Sequence, residues 1–266
     1  MSAAAMVVDT HGGGTFTVAL WLARRSLLMV ARVPAAVVPT VVFPIFFVVA
    51  FSGSFTALTD IPGFGTDNIL SWMAPFAILQ GASFAGLGTC FGVARDLEDG
   101  FYDRLIVAPT PRAALLLGPL LAAMARALLP ITLVLVAAFA GGAALPGGLF
   151  GIVSLVVAAE GVAVLAALWG LGIVYRLKTQ RAGALVQVGI FFTMFLSIGQ
   201  VPLHIIEGWL HGAARVNPMT NILRFARQGF IGDVAWATTW PGLVAMAIAA
   251  VVLAVFAVRG MRTLVP

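Results

Sequence analysis

Between residues 34 and 258 the chain is a succession of apolar runs, each about as long as a bilayer is thick: 34–56, 69–93, 113–138, 149–174, 183–200 and 237–258. A helix crossing the hydrocarbon core needs roughly 20 apolar residues. The runs are continuous and rich in Leu, Ala and Val, whereas strands of a membrane barrel alternate apolar and polar with period two. Only 9% of the 266 residues are charged, against about 25% in an ordinary soluble domain. The expected fold is therefore an all-α membrane protein with six transmembrane helices. Prolines at 34, 39, 44, 119 and 130 predict kinked spans whose freed carbonyls find other donors.

The flanks of these runs divide the chain further. Residues 1–14 (MSAAAMVVDTHGGG) read as a flexible tail and not as a cleavable signal peptide, since they lack a basic start and an apolar middle. Residues 15–33 read as an amphipathic helix. Phe16, Leu20, Ala23, Leu27 and Val30 recur at helical spacing, with Arg25 and Arg32 on the opposite face. That pattern fits a helix lying in the membrane interface, or the basic flank of the first span. Residues 34–266 make the six-span membrane domain. Within it, 201–235 are too polar to cross and are broken by Pro202, Gly208, Gly212 and Pro218. Short re-entrant helices on the outer side are expected there. Gly88 and Gly92 form a GxxxG pair, a spacing that lets helix backbones approach closely.

Charge sets the orientation. Eleven of the fifteen basic residues lie in the N-terminal helix, the second-to-third and fourth-to-fifth connections, and the C-terminal end. The opposite connections hold Arg215, Arg224 and Arg227. Positive charge accumulates on the cytoplasmic side, so both termini are expected in the cytoplasm of a cell-membrane protein. The net charge of +5 serves this purpose and does not point to nucleic acid.

Several chemistries are excluded. The single lysine, Lys178, follows Leu177, so no GxxxxGK[ST] phosphate loop exists. Any ATP and Mg must be bound by another chain, and no cofactor is expected in this one. There is no HExxH, and His204 and His211 lack partners at metal-ligand spacing. His11-Gly12-Gly13-Gly14 has no GxSxG nucleophile to accompany it. Two charges, Arg126 and Glu160, fall near the middle of the third and fourth runs. Such residues are costly in a bilayer and face protein or a water-filled path. They are expected to pair with each other or to line a pathway.

The densest charge lies between the second and third runs. Arg95 to Arg112 holds four of the ten acidic residues, Asp96, Glu98, Asp99 and Asp103, with Arg95, Arg104 and Arg112. Leu97, Phe101 and Leu105 recur at i, i+4 and i+8, predicting one apolar stripe. Asp96, Glu98 and Asp99 are then expected in the first turn, where the helix dipole favours negative charge. Pro109 and Pro111 stop the helix. A short amphipathic helix of this kind can serve as a handle for a soluble partner; a solvated loop that holds two spans apart is the plainer alternative.

At these residues the chain resembles the ABC type-2 permease family, above all its daunorubicin/doxorubicin-resistance branch. The resemblance runs from about residue 16 to 260. It rests on Asp96-Leu97-Glu98-Asp99-Gly100-Phe101-Tyr102-Asp103-Arg104-Leu105, on Ala108-Pro109-Thr110-Pro111-Arg112, and on the late Asn217-Pro218-Met219-Thr220. Gly118-Pro119 stands where many members have Gly-Lys. The resemblance implies a permease that pairs with a second copy or a paralogue and sits on two separate ATP-binding cassette subunits. The 95–112 segment would couple to those ATPases through Asp96, Glu98, Asp99, Gly100, Phe101, Asp103, Arg104, Pro109 and Arg112. Asn217 and Pro218 would form the outer motif. The implied activity is outward movement of hydrophobic or amphipathic small molecules, as in drug or antibiotic efflux. Export of a lipid-linked glycan or polysaccharide, an ATP-independent carrier and an intramembrane enzyme are the alternatives. The first belongs to other branches of the family. For the second, no convincing repeat between the halves is visible; the third has no nucleophile–base or metal constellation.

Overall fold

The computed structural model describes residues 14–32, 38–62, 64–108 and 110–264. These are helical almost throughout: α1 (Thr15–Ala31), α2 (Val38–Phe55), α3 (Ile69–Glu98), α4 (Phe101–Val107), α5 (Arg112–Ala140), α6 (Gly148–Leu177), α7 (Ala182–Phe195), α8 (Gly208–Val216), α9 (Pro218–Ile231) and α10 (Trp236–Met261). Short 3-10 turns follow α2 and α10. The expected N-terminal tail, Pro34 and Pro109 lie outside the described residues.

Five helices are long and apolar enough to cross a membrane: the stretch through α2, then α3, α5, α6 and α10. The fifth run is shorter than its apolarity suggested. α7 stops at Phe195 after 14 residues, about 21 Å at 1.5 Å per residue, against a hydrocarbon core of about 30 Å. The cause is local. The Asn217 amide donates to the carbonyls of Thr193 and Leu196, at 2.7 and 3.0 Å. The Arg227 guanidinium takes the carbonyls of Ile198 and Gly199, at 3.1 and 2.9 Å. The free carbonyls at the end of α7 thus find side-chain donors instead of another helical turn.

α3 is the axis of the molecule. It packs against α2, α5, α6, α7 and α9, and 83% of its most apolar stretch is buried, against 17% for α2 and for α10. Asn68 starts it by accepting from the Leu70 amide at 2.8 Å, an ordinary N-cap. Small residues set its contacts. A Cβ on Gly86 would run into the Ala163–Ala167 backbone of α6, and one on Gly81 into Pro130 of α5 and Pro44 of α2. The Gly88–Gly92 pair does not make a helix contact. A methyl on Gly92 would find nothing within 4 Å, and one on Gly88 only Arg126 at 3.5 Å.

The segments with basic flanks gather at one end of the bundle, and the acidic or neutral connections at the other. At the first end, Glu98 accepts from Thr179 and Gln180, Arg25 meets Asp96, and Thr263 donates to the Tyr175 carbonyl. At the second, the Asn68 amide donates to Gly142, Ser71 pairs with Ala144, and Gly147 donates to Gly229.

Candidate functional site

The charged segment is two helices and not one. α3 continues past residue 93 to Glu98, so Asp96 and Glu98 lie in its last turn and not in the first turn of a new helix. Gly100, at φ 68°, turns the chain in the left-handed region open to glycine. α4 then begins at Phe101 with only Asp103 in its first turn. The 97–101–105 stripe is broken by this turn. Leu97, Phe101 and Leu105 still face the same small core, because the bend brings α4 back beneath α3.

The four acidic residues divide into two roles. Asp96 is buried, and its carboxylate accepts from both terminal nitrogens of Arg25, at 2.6 and 2.9 Å. The Arg25 guanidinium also lies 3.9 Å from the centre of the Phe101 ring. The hydrogen bonds to Asp96 hold Arg25 above its ordinary pKa. Glu98 is exposed and clasps the turn between α6 and α7 through Thr179 and Gln180. Asp99 and Asp103 are exposed and carry no such bond, as are Arg104 and Arg112. These four are exposed and unpaired among the described residues, while Asp96, Glu98 and Phe101 are engaged in contacts that hold the segment in shape.

Beneath α4 sit the chain's two tyrosines, which sequence reasoning passed over. Tyr102 is 3% exposed, and its ring centre lies 6.2 Å from that of Tyr175. Burial pushes the Tyr102 phenol well above its ordinary pKa. Tyr175 donates to the Leu115 carbonyl at 2.9 Å. The two rings tie α4 to α5 and α6, and the Tyr175 backbone carbonyl accepts from Thr263 in the turn after α10. Their rarity was the available signal: with so few tyrosines, two flanking the basic connections were worth linking.

The two intramembrane charges do not pair. Arg126 donates through Nη2 to the carbonyl and hydroxyl of Ser26, at 3.1 and 2.9 Å. Its neighbour is thus α1, which packs along the first half of α5 with Leu22 against Gly118. Glu160 lies on α6 with no partner for Oε2 among the described residues.

At the opposite end, the Asn-Pro motif acts as a double cap. The Asn217 carbonyl oxygen accepts from the Met219 amide at 2.9 Å, with Pro218 opening α9. The same side chain's nitrogen closes α7. Arg227, counted from sequence among loop charges, is 1% exposed. It stacks 3.7 Å from the centre of Trp72 and donates to the Trp72 carbonyl at 3.1 Å. Between α6, α7, α9 and α10 lies an apolar cleft of 850 Å³, walled by Trp169, Phe192, Met219, Trp240, Ile248 and Val252 among others. That volume is in the range of small-molecule sites, about 300–1,000 Å³.

A bundle of long apolar helices with a braced, charged segment at one end is the build of a multi-pass membrane protein. Residues 58–259 match the ABC-2 family transporter protein model, and the chain belongs to that family. It is 24% identical over 246 residues to the daunorubicin resistance ABC transporter permease protein DrrB1 of Streptomyces coeruleorubidus. The match covers 91% of this chain and 83% of the relative.

Proposed function

We propose that this chain is the membrane half of an ATP-driven exporter of hydrophobic or amphipathic small molecules. In this reading it pairs with a second copy or a paralogue, and two separate ATP-binding cassette subunits bind ATP and Mg. α2, α3, α5, α6, α7 and α10 are the six spans. α1 lies in the interface, α8 and α9 are re-entrant, and both termini face the cytoplasm of the cell membrane. The observation that carries the reading is the platform: Asp103 and Arg104 stand exposed on the short helix α4, flanked by exposed Asp99 at the end of α3 and Arg112 at the start of α5, while Tyr102 holds the helix from beneath. Such a surface transmits a push from a soluble partner to the buried axis. The family supports separate ATPases, and the resistance relative together with the apolar cleft supports an amphipathic substrate.

The test is co-expression with an ATP-binding cassette subunit encoded beside this chain, followed by reconstitution into liposomes. Expected are co-purification and vanadate-sensitive ATPase activity that an anthracycline-type drug stimulates. A chain that recruits no such subunit would refute the reading. Recruitment with ATPase activity indifferent to amphipathic drugs would leave coupling intact and refute the substrate class.

A further inference from the structure

We infer that a second, smaller site at the charged end binds a phosphate-type anion. A cavity of 130 Å³ lies between α1, α3, α4 and α5. Arg25, Gly88, Gly92, Arg95, Asp96 and Arg126 are among the residues that line it. At ~30 Å³ per water this is room for about four waters, enough for one phosphate group.

The charges in the cavity do not balance. Asp96 is the acidic side chain lining it, and it is fully engaged by Arg25. Arg95 and Arg126 are left without a carboxylate among the described residues. Arg126 is the decisive group. It is 7% exposed, its Nε has no hydrogen-bond partner, and only Nη2 is used, on Ser26. Nη1 points past Gly88 with no acceptor. A buried guanidinium without a counter-charge is strongly unfavourable, and a bound anion accepting from its fork removes that cost. The glycine pair explains why the space exists. Neither Gly88 nor Gly92 touches a neighbouring helix, so their missing side chains hold the slot open and pack nothing.

Two sources supply such an anion. One is the headgroup of an anionic lipid, since α1 is basic and carries Trp21 with Arg24 stacked near its ring, 5.3 Å from the centre, as interfacial helices do. The other is soluble phosphate. The lipid source agrees better with the place of α1, whose Leu22, Arg25, Ser26, Met29 and Val30 form one wall of the cavity.

The experiment is native mass spectrometry of the purified full chain equilibrated with equal phosphatidylglycerol and phosphatidylcholine. Wild type should retain phosphatidylglycerol selectively. Arg126→Gln should weaken retention at least about tenfold, the loss of one charge-assisted contact. Gly92→Leu should do the same with every arginine in place; a Cβ at this position meets no described atom within 4 Å, and an unchanged thermal midpoint checks that the fold is kept. Retention that millimolar inorganic phosphate leaves intact supports the lipid source. Thermal stabilisation by inorganic phosphate alone, lost in Gly92→Leu, supports the soluble one. Wild type that takes up neither, or a Gly92→Leu chain that binds as well as wild type, overturns the site.

Discussion

Replacing Arg227 with methionine is the most informative single change, because one side chain closes α7, anchors α9 and covers Trp72. The substitution keeps the bulk of the side chain and removes three hydrogen bonds, to the carbonyls of Trp72, Ile198 and Gly199. Bonds from a charged donor contribute roughly 1.5–3 kcal/mol each, and the stacking on Trp72 about 1 kcal/mol more. The full sum is not expected. Trp72 and Ile198, two of the residues whose carbonyls are abandoned, line a cavity of 590 Å³, and water entering it recovers part of the loss. A net destabilisation of about 3–5 kcal/mol follows. At roughly 2–4 °C per kcal/mol, the thermal midpoint should fall on the order of 10 °C. Tryptophan fluorescence during heating in detergent reads this directly, since Trp72 lies against the guanidinium. Arg227→Lys should recover only part of the midpoint, as an ammonium cannot fork across three carbonyls. Asn217→Ala should cost less than Arg227→Met, and the double variant less than the two losses added, because both side chains close the same helix end. A midpoint for Arg227→Met within about 2 °C of wild type, below the shift of a 1 kcal/mol loss, would refute the capping account of α7.

Charge reversal at the exposed pair, Asp99→Lys with Asp103→Lys, should abolish partner-stimulated transport while membrane insertion and melting stay at wild type; transport assays in vesicles with the ATPase subunit decide it. Tyr102→Ala should cost about 3–4 kcal/mol, as for other large aromatic truncations, and should separate α4 from Tyr175, visible as faster amide exchange across 101–107. Glu160→Leu should leave thermal stability unchanged or raised, because its carboxylate has no partner to lose; a large destabilisation would mean an unrecognised bond. Gly86→Leu should prevent folding by striking the α6 backbone, whereas Gly92→Ala should be silent in the same expression and melting assay.

Much of the architecture was readable because hydropathy and charge are properties of runs. Apolar length marked α2, α3, α5, α6 and α10, and the position of arginines grouped the connections that meet at one end. Boundaries decided by single long-range bonds were not readable. Nothing in Leu196-Ser197-Ile198 announces that Asn217 and Arg227 will end the helix before them. At the candidate site, periodicity joined Leu97 to Phe101 and Leu105 correctly as one apolar set but missed the turn at Gly100, because a left-handed glycine preserves the contact while moving the helix boundary. The likeness of Gly88-x-x-x-Gly92 to a packing motif misled for a related reason. Spacing records which residues share a face, and it is silent on whether a helix or a cavity lies opposite. The partner of Arg126 was hidden because Ser26 is a hundred residues away and carries no charge.

The length of α3 has a mechanical consequence. Its 30 residues span about 45 Å, and both ends are clamped, by the Arg25–Asp96 bridge at one and by Asn68 on Gly142 at the other. With its flanks packed on α2, α4, α5, α6, α7 and α9, this rod is held along its length. In the coupling proposed above, a thrust at Asp99 or Asp103 would be carried along this shaft to its far end, where Trp72 sits with Arg227 stacked upon it.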